Sequence, residues 1–380
     1  MSDHPDPDGL ARSVKRLFDQ FDAPTDDSGP PSIGADGGEA PTRLAQAVSD
    51  YLLAPGSERG PLADAVRSEA AAARSAGDLD DLAAAVEELL VQPVPDPDAT
   101  ALACEIVDPA VETRLALRMG AVRDEGRRSA LVEAIVPLGG SMAEAIGEAL
   151  TDTEDSLARR TYVAVLVALG EAARDVVERM LDDSRWWVVR NAVHVLGERA
   201  SADAIGLLTA PLAHEHAQVR LATVRALARI GGEDAGMLLL GMLGDPEAPV
   251  RASAARALGE IRLERALRPL LERLEEEEDE DALEAVIGAL GRLGDPSAVQ
   301  AIEKRGLEGS FFSKPKKDVR IAAYGALAAI GTPRAMGLVE AAASDRDPEV
   351  AAAVRRILAE REEARQAAAS DVEGGGADDA

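Results

Sequence analysis

The sequence contains a single cysteine, Cys104, among 380 residues. One thiol excludes an intramolecular disulfide and a zinc site built from several cysteines, and it fits a reducing compartment. Histidine is nearly as scarce, with only His4, His194, His214 and His216 in the whole chain. A metal site has few ligands to draw on, so we expect neither a metal ion nor another cofactor.

Aromatic side chains are few, and long hydrophobic runs are absent. Aromatic residues make up 2% of the chain although 46% of its residues are hydrophobic, so the apolar material is almost entirely Ala, Leu, Val and Ile. That composition favours closely stacked helices over a β-sandwich. We find no signal-peptide pattern and no uninterrupted run of about 18 apolar residues. We therefore expect a cytoplasmic, all-α protein without membrane insertion.

Basic residues are fewer than acidic ones: the chain has 41 Lys and Arg residues and 69 Asp and Glu residues, which gives a net charge of −28. A field of this sign repels phosphate backbones, which argues against general nucleic-acid binding. The composition carries no signal for the oligomeric state. The charge is compatible with a protein or peptide as the partner.

Sequence motifs for catalysis are not present. The chain has no Gly-rich phosphate loop, no G-x-S-x-G and no H-E-x-x-H. Its one tight group of possible metal ligands is His214-Glu215-His216. This group fits either a metal site, which would need further ligands from elsewhere in the chain, or a solvated turn, which would not. We predict no catalytic residue.

What the sequence does contain is a repeat. Its skeleton is a Val-Arg start, Ala and Leu filling, and a glycine eleven residues after the arginine, as in Arg220 and Gly231. The motif arginines recur at intervals of 31, 31, 30 and 31 residues, and the last follows after 69 residues, which hides one variant copy with Leu283 at the arginine position. They are Arg128, Arg159, Arg190, Arg220, Arg251 and Arg320. A fixed period of this length indicates an array of two-helix units.

The composition divides the chain into four parts. Residues 1–41 have the composition of a disordered arm, residues 42–97 predict a helical cap or degenerate repeats, residues 98–366 form the array, and residues 367–380 form a disordered acidic tail. Three prolines in P-V-P-D-P-D at 93–98 predict a break before the array. Within the arm, one helix face carries Leu10, Val14, Leu17, Phe18 and Phe21, which predicts either a docking helix or a nascent one.

The repeated arginine falls in the first turn of a helix, where a positive charge opposes the helix dipole. It therefore needs a compensating partner, and acids such as Asp183, Asp245, Glu247 and Asp318 stand in the preceding turns. A guanidinium can bind a carboxylate and a turn carbonyl together. We predict that the motif arginines and Asp245 form a structural ladder, with a direct ligand role as the alternative.

Several stretches resemble the short HEAT repeats of the phycobilisome-lyase type found in bacterial proteins. These are D-P-E-A-P-V-R-A-S-A-A-R-A-L-G at 245–259, L-G-D-P-S-A-V at 293–299, I-G-T-P-R-A at 330–335, D-R-D-P-E-V at 345–350 and R-W-W-V-V-R-N at 185–191. The resemblance implies a right-handed α-solenoid of about eight two-helix repeats, an armadillo-like superhelix with an N-terminal cap. It also implies that the second helix of each pair, helix B, lines the concave face, and that the ladder links adjacent repeats.

Breaks in the repeat are the candidate partner-binding positions. Trp186 and Trp187, the only tryptophans, open one helix B, and either both pack between repeats or one faces a partner. An insert before Arg320 stands beside the acidic run at 275–281, which predicts either charge neutralisation or a docking loop. On the solvent side of helix B, charged residues form either a binding strip or ordinary surface. The candidates are Trp186, Trp187, Asn191, Arg225, Arg229, Arg256, Phe311, Phe312, Lys314, Lys316 and Lys317.

Because the chain offers surface but no catalytic cluster, we expect a non-enzymatic scaffold that binds a partner along the concave face. The resemblance leaves two alternatives: the bilin lyase or isomerase activity of some short HEAT proteins, and DNA binding of the kind seen in HEAT-type glycosylases of alkylated bases. HEAT-type deoxyhypusine hydroxylases bind iron through several His-Glu pairs. This chain has only His214-Glu215, which argues against that activity.

Overall fold

The chain is all-α wherever the structure describes it. The computed structural model describes residues 40–308 and 315–374, and within those ranges there is no β-strand. The chain divides into two compact units, Met1–Arg199 (unit 1) and Ala200–Ala380 (unit 2). The amphipathic segment predicted at 10–21 lies outside the described residues.

Unit 1 consists of ten described α-helices, joined by short turns. They are α1 (Arg43–Leu53), α2 (Arg59–Ala76), α3 (Leu79–Leu90), α4 (Pro97–Ile106), α5 (Pro109–Ala121), α6 (Glu125–Ala134), α7 (Gly139–Asp152), α8 (Ser156–Leu169), α9 (Arg174–Leu181) and α10 (Trp186–Arg199). The motif arginines at 128, 159 and 190 lie in the first or second turn of α6, α8 and α10.

Unit 2 continues the same alternation. Its α-helices are α11 (Ala217–Ile230), α12 (Gly232–Gly241), α13 (Ala248–Ile261), α14 (Leu267–Glu276), α15 (Glu280–Leu293), α16 (Ala298–Ile302), α17 (Lys317–Ile330), α18 (Pro333–Ala342) and α19 (Pro348–Gly374). A π-helical segment, Glu303–Glu308, follows α16. The B helices α11, α13, α15, α17 and α19 pack each against the next, so the unit is an α-solenoid.

Acidic and hydroxyl side chains start many of these helices by accepting hydrogen bonds from otherwise unpaired amides. Asp108 accepts from Ala110 and Val111, both at 3.0 Å. The proline-rich stretch at 93–98 contains the predicted break, since residues 91–96 are non-helical and separate α3 from α4, but the break does not extend to Pro97. Pro97 is instead the first residue of α4, capped by Asp96, because proline lacks an N–H that this position does not need.

Positive backbone φ angles mark the ends of the B helices. Gly231 has a φ of 70° and Gly331 one of 70°, which only glycine adopts without strain. At the same position of the next repeat after Gly231 the residue is Arg262, and its φ is 55°. This arginine therefore adopts the left-handed conformation at a cost that glycine would avoid.

Two B-helix contacts in unit 2 are nearly backbone to backbone. A Cβ atom placed on Gly259 of α13 would lie 2.7 Å from the Cα of Ala289 in α15. One on Gly291 of α15 would lie 2.6 Å from the Cα of Ala326 in α17. Small residues at both points let successive B helices approach closely, which fixes their spacing.

The structure differs from the sequence-based expectation in two segments. The first helix of the pair that ends in α11 is missing, and 3₁₀ turns at Ala202–Ile205 and Pro211–Ala213 take its place. Gly206 and Pro211 explain this, because glycine weakens a helix and proline interrupts one. The last helix, α19, runs to Gly374 although we predict a structureless tail from residue 367. Its Ala-rich sequence, with Glu, Arg and Gln, favours the helix.

One segment, Glu125–Asp152, is long and apolar enough to cross a membrane by length and composition alone. In the structure it consists of α6 and α7, separated by a 3₁₀ turn at Val136–Leu138. Leu131, Met142 and Ile146 from this segment are buried within unit 1. Its hydrophobicity therefore serves the packing of the repeats.

Candidate functional site: the arginine ladder and the B-helix surface

Three motif arginines of unit 2 form ion pairs between consecutive repeats. Arg220 in α11 donates from Nε to Asp245 Oδ2 at 2.7 Å and from Nη2 to Asp245 Oδ1 at 2.9 Å. Arg251 in α13 donates to both carboxylate oxygens of Glu277, at 2.8 and 2.7 Å. Arg320 in α17 contacts Asp345. In each pair the acid stands 25 or 26 residues after the arginine.

The direction of these pairs corrects one part of the sequence analysis. Acids in the turn preceding each arginine were expected to bind it, but that turn contributes backbone carbonyls. Arg220 Nη1 donates to the carbonyls of His214 and Glu215 at 2.9 and 3.0 Å. Its carboxylate comes from Asp245, in the next turn along the chain. The guanidinium groups of Arg220 and Arg251 therefore link their own turns to the following ones, and a one-dimensional pattern does not show this direction.

Two of these pairs are buried. The side chains of Arg220 and Asp245 are 10% and 2% exposed, and that of Glu277 is 0% exposed. Burial alone would raise the pKa of Asp245, but hydrogen bonds from Arg220 and the Glu247 amide, with the charges of Arg220 and Arg251, outweigh it and hold the pKa below its usual value. The same balance lowers the pKa of Glu277.

The acidic run at 275–281 contains a buried residue of the ladder, Glu277. Glu277 is the ladder acid of Arg251 and also lies 3.4 Å from Arg273. Its backbone carbonyl accepts a hydrogen bond from Arg305, whose Nε also donates to the carbonyl of Leu274 at 3.3 Å. Sequence reasoning missed Glu277 and Arg305. The one available signal was that Glu277 stands six residues before Leu283, as Asp245 stands before Arg251.

Unit 1 arranges its motif arginines differently. Arg128 Nη1 donates to the carbonyl of Arg123 at 3.0 Å, and Arg159 Nη2 donates to the carbonyl of Glu154 at 3.3 Å. Arg190 Nη2 donates to Asn191 Oδ1 at 3.2 Å. Within the described residues, neither Arg159 nor Arg190 contacts a carboxylate.

Other arginines link the helices of unit 1. The buried Glu87 of α3 binds Arg118 of α5, at 3.1 Å, and Arg127 of α6. Arg123 binds Asp155 at 2.6 Å. These pairs carry no fixed register with the motif, so the repeat pattern did not identify them.

Trp186 and Trp187 lie at the start of α10, with their ring centroids 6.1 Å apart in an edge-to-face arrangement. The ring of Trp187 is partly in solvent, since the residue is 41% exposed. Trp186 is half-buried, and the guanidinium of Arg190 lies 5.2 Å from its ring centroid. Asn191 is 4% exposed, so this candidate is an interior residue and not one that a partner reaches directly.

The predicted B-helix strip is on the surface of unit 2. Arg225 and Arg229 of α11 and Arg256 of α13 are exposed, as is Arg292 of α15, which the sequence analysis did not single out. Among the described residues, Arg225, Arg256 and Arg292 have no ion-pair partner. They differ in this from the ladder arginines on the same helices.

A family model for HEAT repeats matches residues 206–287 and 238–311, the region that contains the two buried ladder pairs. The chain contains HEAT repeats over residues 206–311. No curated protein matches it. Among solved structures, an engineered protein is 18% identical with a TM-score of 0.36, and the match covers 84% of this chain and 99% of that one.

Two further similarities are distant. The karyopherin Kap121p is 13% identical with a TM-score of 0.47, and the match covers 83% of this chain and 39% of Kap121p. Human deoxyhypusine hydroxylase is 18% identical with a TM-score of 0.30, and the match covers 67% and 98% of the two chains. The HEAT-repeat assignment rests on the family model and on the fold.

The insert before Arg320 is partly described. Lys316 contacts Glu280, an acid of the run at 275–281, so charge neutralisation occurs between these two HEAT repeats. Lys317 turns the other way and contacts Glu349. Phe311, Phe312 and Lys314 lie outside the described residues, and the docking loop stays a prediction.

His214 and His216 lie in the turn between HEAT helices, where they cap the backbone. His214 Nδ1 accepts from the amide of His216 at 2.9 Å, and His216 Nδ1 accepts from that of Gln218 at 3.2 Å. Asp245 makes the equivalent contact in the next repeat, accepting from the Glu247 amide at 2.9 Å. Across residues 40–308 and 315–374 no group of acids, histidines or cysteine has the geometry of a metal site.

Proposed function

We propose that this HEAT-repeat protein is a non-enzymatic, cytoplasmic scaffold that binds a protein or peptide partner along the B-helix face of unit 2. In the HEAT family this face is the concave one. One observation carries the proposal: Arg225, Arg256 and Arg292 are exposed on three consecutive B helices without an ion-pair partner among the described residues.

Charge distribution supports this assignment. In a chain of net charge −28, most arginines near acids form pairs, and long exposed arginines left out of such pairs are typical of recognition surfaces. Glu260 and Arg229 stand beside them, which gives the strip a mixed charge. Such a pattern suits a partner with both acidic and basic side chains better than a uniform polyanion.

Charge reversal tests the proposal. The triple variant Arg225→Glu, Arg256→Glu, Arg292→Glu and the wild type are used as bait in cross-linking mass spectrometry with extract of the source organism. We expect a partner whose cross-links map to α11, α13 and α15, and recovery of that partner should fall at least tenfold in the variant.

The control is Arg268→Glu on α14, an exposed arginine that pairs with Glu272 on the same helix. It changes charge by the same amount per site and should leave recovery unchanged. Cross-links that map elsewhere, or equal recovery with the triple variant, would show that this face is not the binding surface.

A further inference from the structure

The N-terminal edge of the B helices in unit 1 holds two arginines without a counter-charge. Arg190 is half-buried, and burial lowers its pKa, as does, to a smaller degree, the positive charge of Arg159. The contacts of Arg190 are the side-chain oxygen of Asn191 and the ring of Trp186. Arg159 contacts only a carbonyl, that of Glu154.

The comparison with unit 2 shows what these arginines lack. Arg220 and Arg251 each bind a carboxylate that stands six residues before the next motif position. The corresponding position for Arg159 is Ser184, six residues before Arg190, and the one for Arg190 is His214, six residues before Arg220; neither is a carboxylate. Unit 1 therefore has the motif arginines Arg159 and Arg190 but no acid at the positions that supply the ladder carboxylates in unit 2.

A third donor belongs to the same group. Nδ2 of Asn191 is buried and has no hydrogen-bond acceptor within the described part of the chain, while Oδ1 of the same amide accepts from Arg190. Leaving a buried donor unpaired costs about 1–3 kcal/mol, but Asn191 is too deeply buried for a partner to reach this donor directly. The groups that the site presents to a partner are therefore the two guanidinium groups, neither of which contacts a carboxylate within the described residues.

The exposed indole of Trp187 is close to this donor group in sequence, since Trp187 stands three residues before Arg190 in α10. An indole next to a cation is suited to a side chain that is apolar and lies close to a carboxylate. The geometry points to a binding site for an acidic peptide segment of a partner protein. A carboxylate would bind Arg159 and Arg190, and a neighbouring apolar side chain would cover Trp187.

A nucleic acid is the less suitable occupant, although its phosphates are also acceptors. The net charge of −28 repels a polyanion over its whole length, whereas a short segment with one or two carboxylates is repelled far less. The site lies in unit 1 and shares no residue with the proposed B-helix face of unit 2. The two proposals therefore succeed or fail separately.

Intrinsic fluorescence gives a direct test, because Trp186 and Trp187 are the only tryptophans and both lie at the site. The full chain is titrated with a short synthetic peptide of Glu, Phe and Gly, with the same peptide carrying Gln in place of Glu, and with a short single-stranded oligonucleotide. We expect a saturable change of tryptophan emission with the Glu peptide alone.

Variants identify the groups responsible. Arg159→Gln and Arg190→Gln should each weaken binding of the Glu peptide about tenfold, the usual loss for a hydrogen bond to a charged group. Arg179→Gln, which removes an exposed arginine paired with Glu144 in the same unit, is the control and should bind as the wild type does. Circular dichroism verifies that each variant is folded, and Trp187→Ser, at an exposed position, tests the apolar contact independently.

The inference is overturned if the Glu peptide gives no saturable signal, if the Gln peptide binds equally well, or if the oligonucleotide binds as tightly as the Glu peptide. It is also overturned if folded Arg159→Gln and Trp187→Ser both retain wild-type affinity. Failure of these titrations would leave the cross-linking result for unit 2 unaffected.

Discussion

Arg220 and Asp245 form a buried, doubly hydrogen-bonded ion pair that joins two consecutive repeats, with N···O distances of 2.7 and 2.9 Å. Because Arg220 also donates to two carbonyls of its own turn, one guanidinium holds three backbone segments together. The pair is thus part of the interface between repeats, where most of the stability of a solenoid resides.

Arg220→Met should lower the free energy of unfolding of unit 2 by about 3–5 kcal/mol, since it leaves the carboxylate of Asp245 buried without its partner. The same substitution at Arg190, which has no carboxylate in the described chain, should cost less, about 1–3 kcal/mol, because it leaves only the side-chain oxygen of Asn191 without its donor. Urea unfolding followed by circular dichroism measures both. Tryptophan fluorescence isolates unit 1, because both tryptophans lie there, so equal losses in the two variants would contradict the ladder assignment.

Acid should weaken unit 2 through the same pairs. The pKa values of Asp245 and Glu277 are lowered in the folded chain from ordinary values of 3.8 and 4.5. Below the ordinary pKa the unfolded chain binds more protons than the folded one, so the stability that these acids contribute is complete above about pH 5 and is lost as the pH falls through the folded values. Urea midpoints between pH 7 and pH 3 should fall less steeply in Asp245→Asn; an identical slope would exclude Asp245 as the source.

Gly291→Ala should destabilise unit 2 by about 1–3 kcal/mol, because the new Cβ would lie 2.6 Å from the Cα of Ala326 and backbone atoms cannot move aside easily. Gly325→Ala on α17 is the matched control. Its Cβ would meet only Ile357 Cδ1, at 4.0 Å. It should stabilise the helix by up to about 1 kcal/mol. If thermal unfolding shows both variants shifting in the same direction, the close packing of α15 on α17 is wrong.

Arg262→Gly should raise the stability of unit 2 by about 1 kcal/mol, because φ at this position is 55° and glycine adopts that angle without strain. A gain of that size corresponds to roughly 2–4 °C in the midpoint of thermal unfolding for a unit of this length. Arg256→Gly, inside α13, should have the opposite sign, since glycine is unfavourable in a helix interior.

The period of the motif was sufficient to predict the helical pairs, because a buried face must recur with each unit. The same period was insufficient for the ladder contacts. It placed Arg220 and Asp245 correctly along the chain, yet the choice between Asp245 and an acid in the preceding turn depends on where two turns lie in space. The burial of Asn191 could not be predicted for a related reason: which side of α10 is covered depends on how the neighbouring helices pack on it.

The absence of a motif arginine at Leu283 explains why the turn before Arg320 can be longer than the others. A ladder acid reaches its arginine only when the intervening chain has a fixed length, 25 or 26 residues in the three pairs of unit 2. Leu283 stands where the other repeats have arginine and needs no acid from the following turn. The turn before Arg320 therefore does not have to keep that length. The repeat without a motif arginine is accordingly followed by the turn whose length the ladder does not constrain, so a change in the length of that turn should leave the ladder pairs of the neighbouring repeats in place.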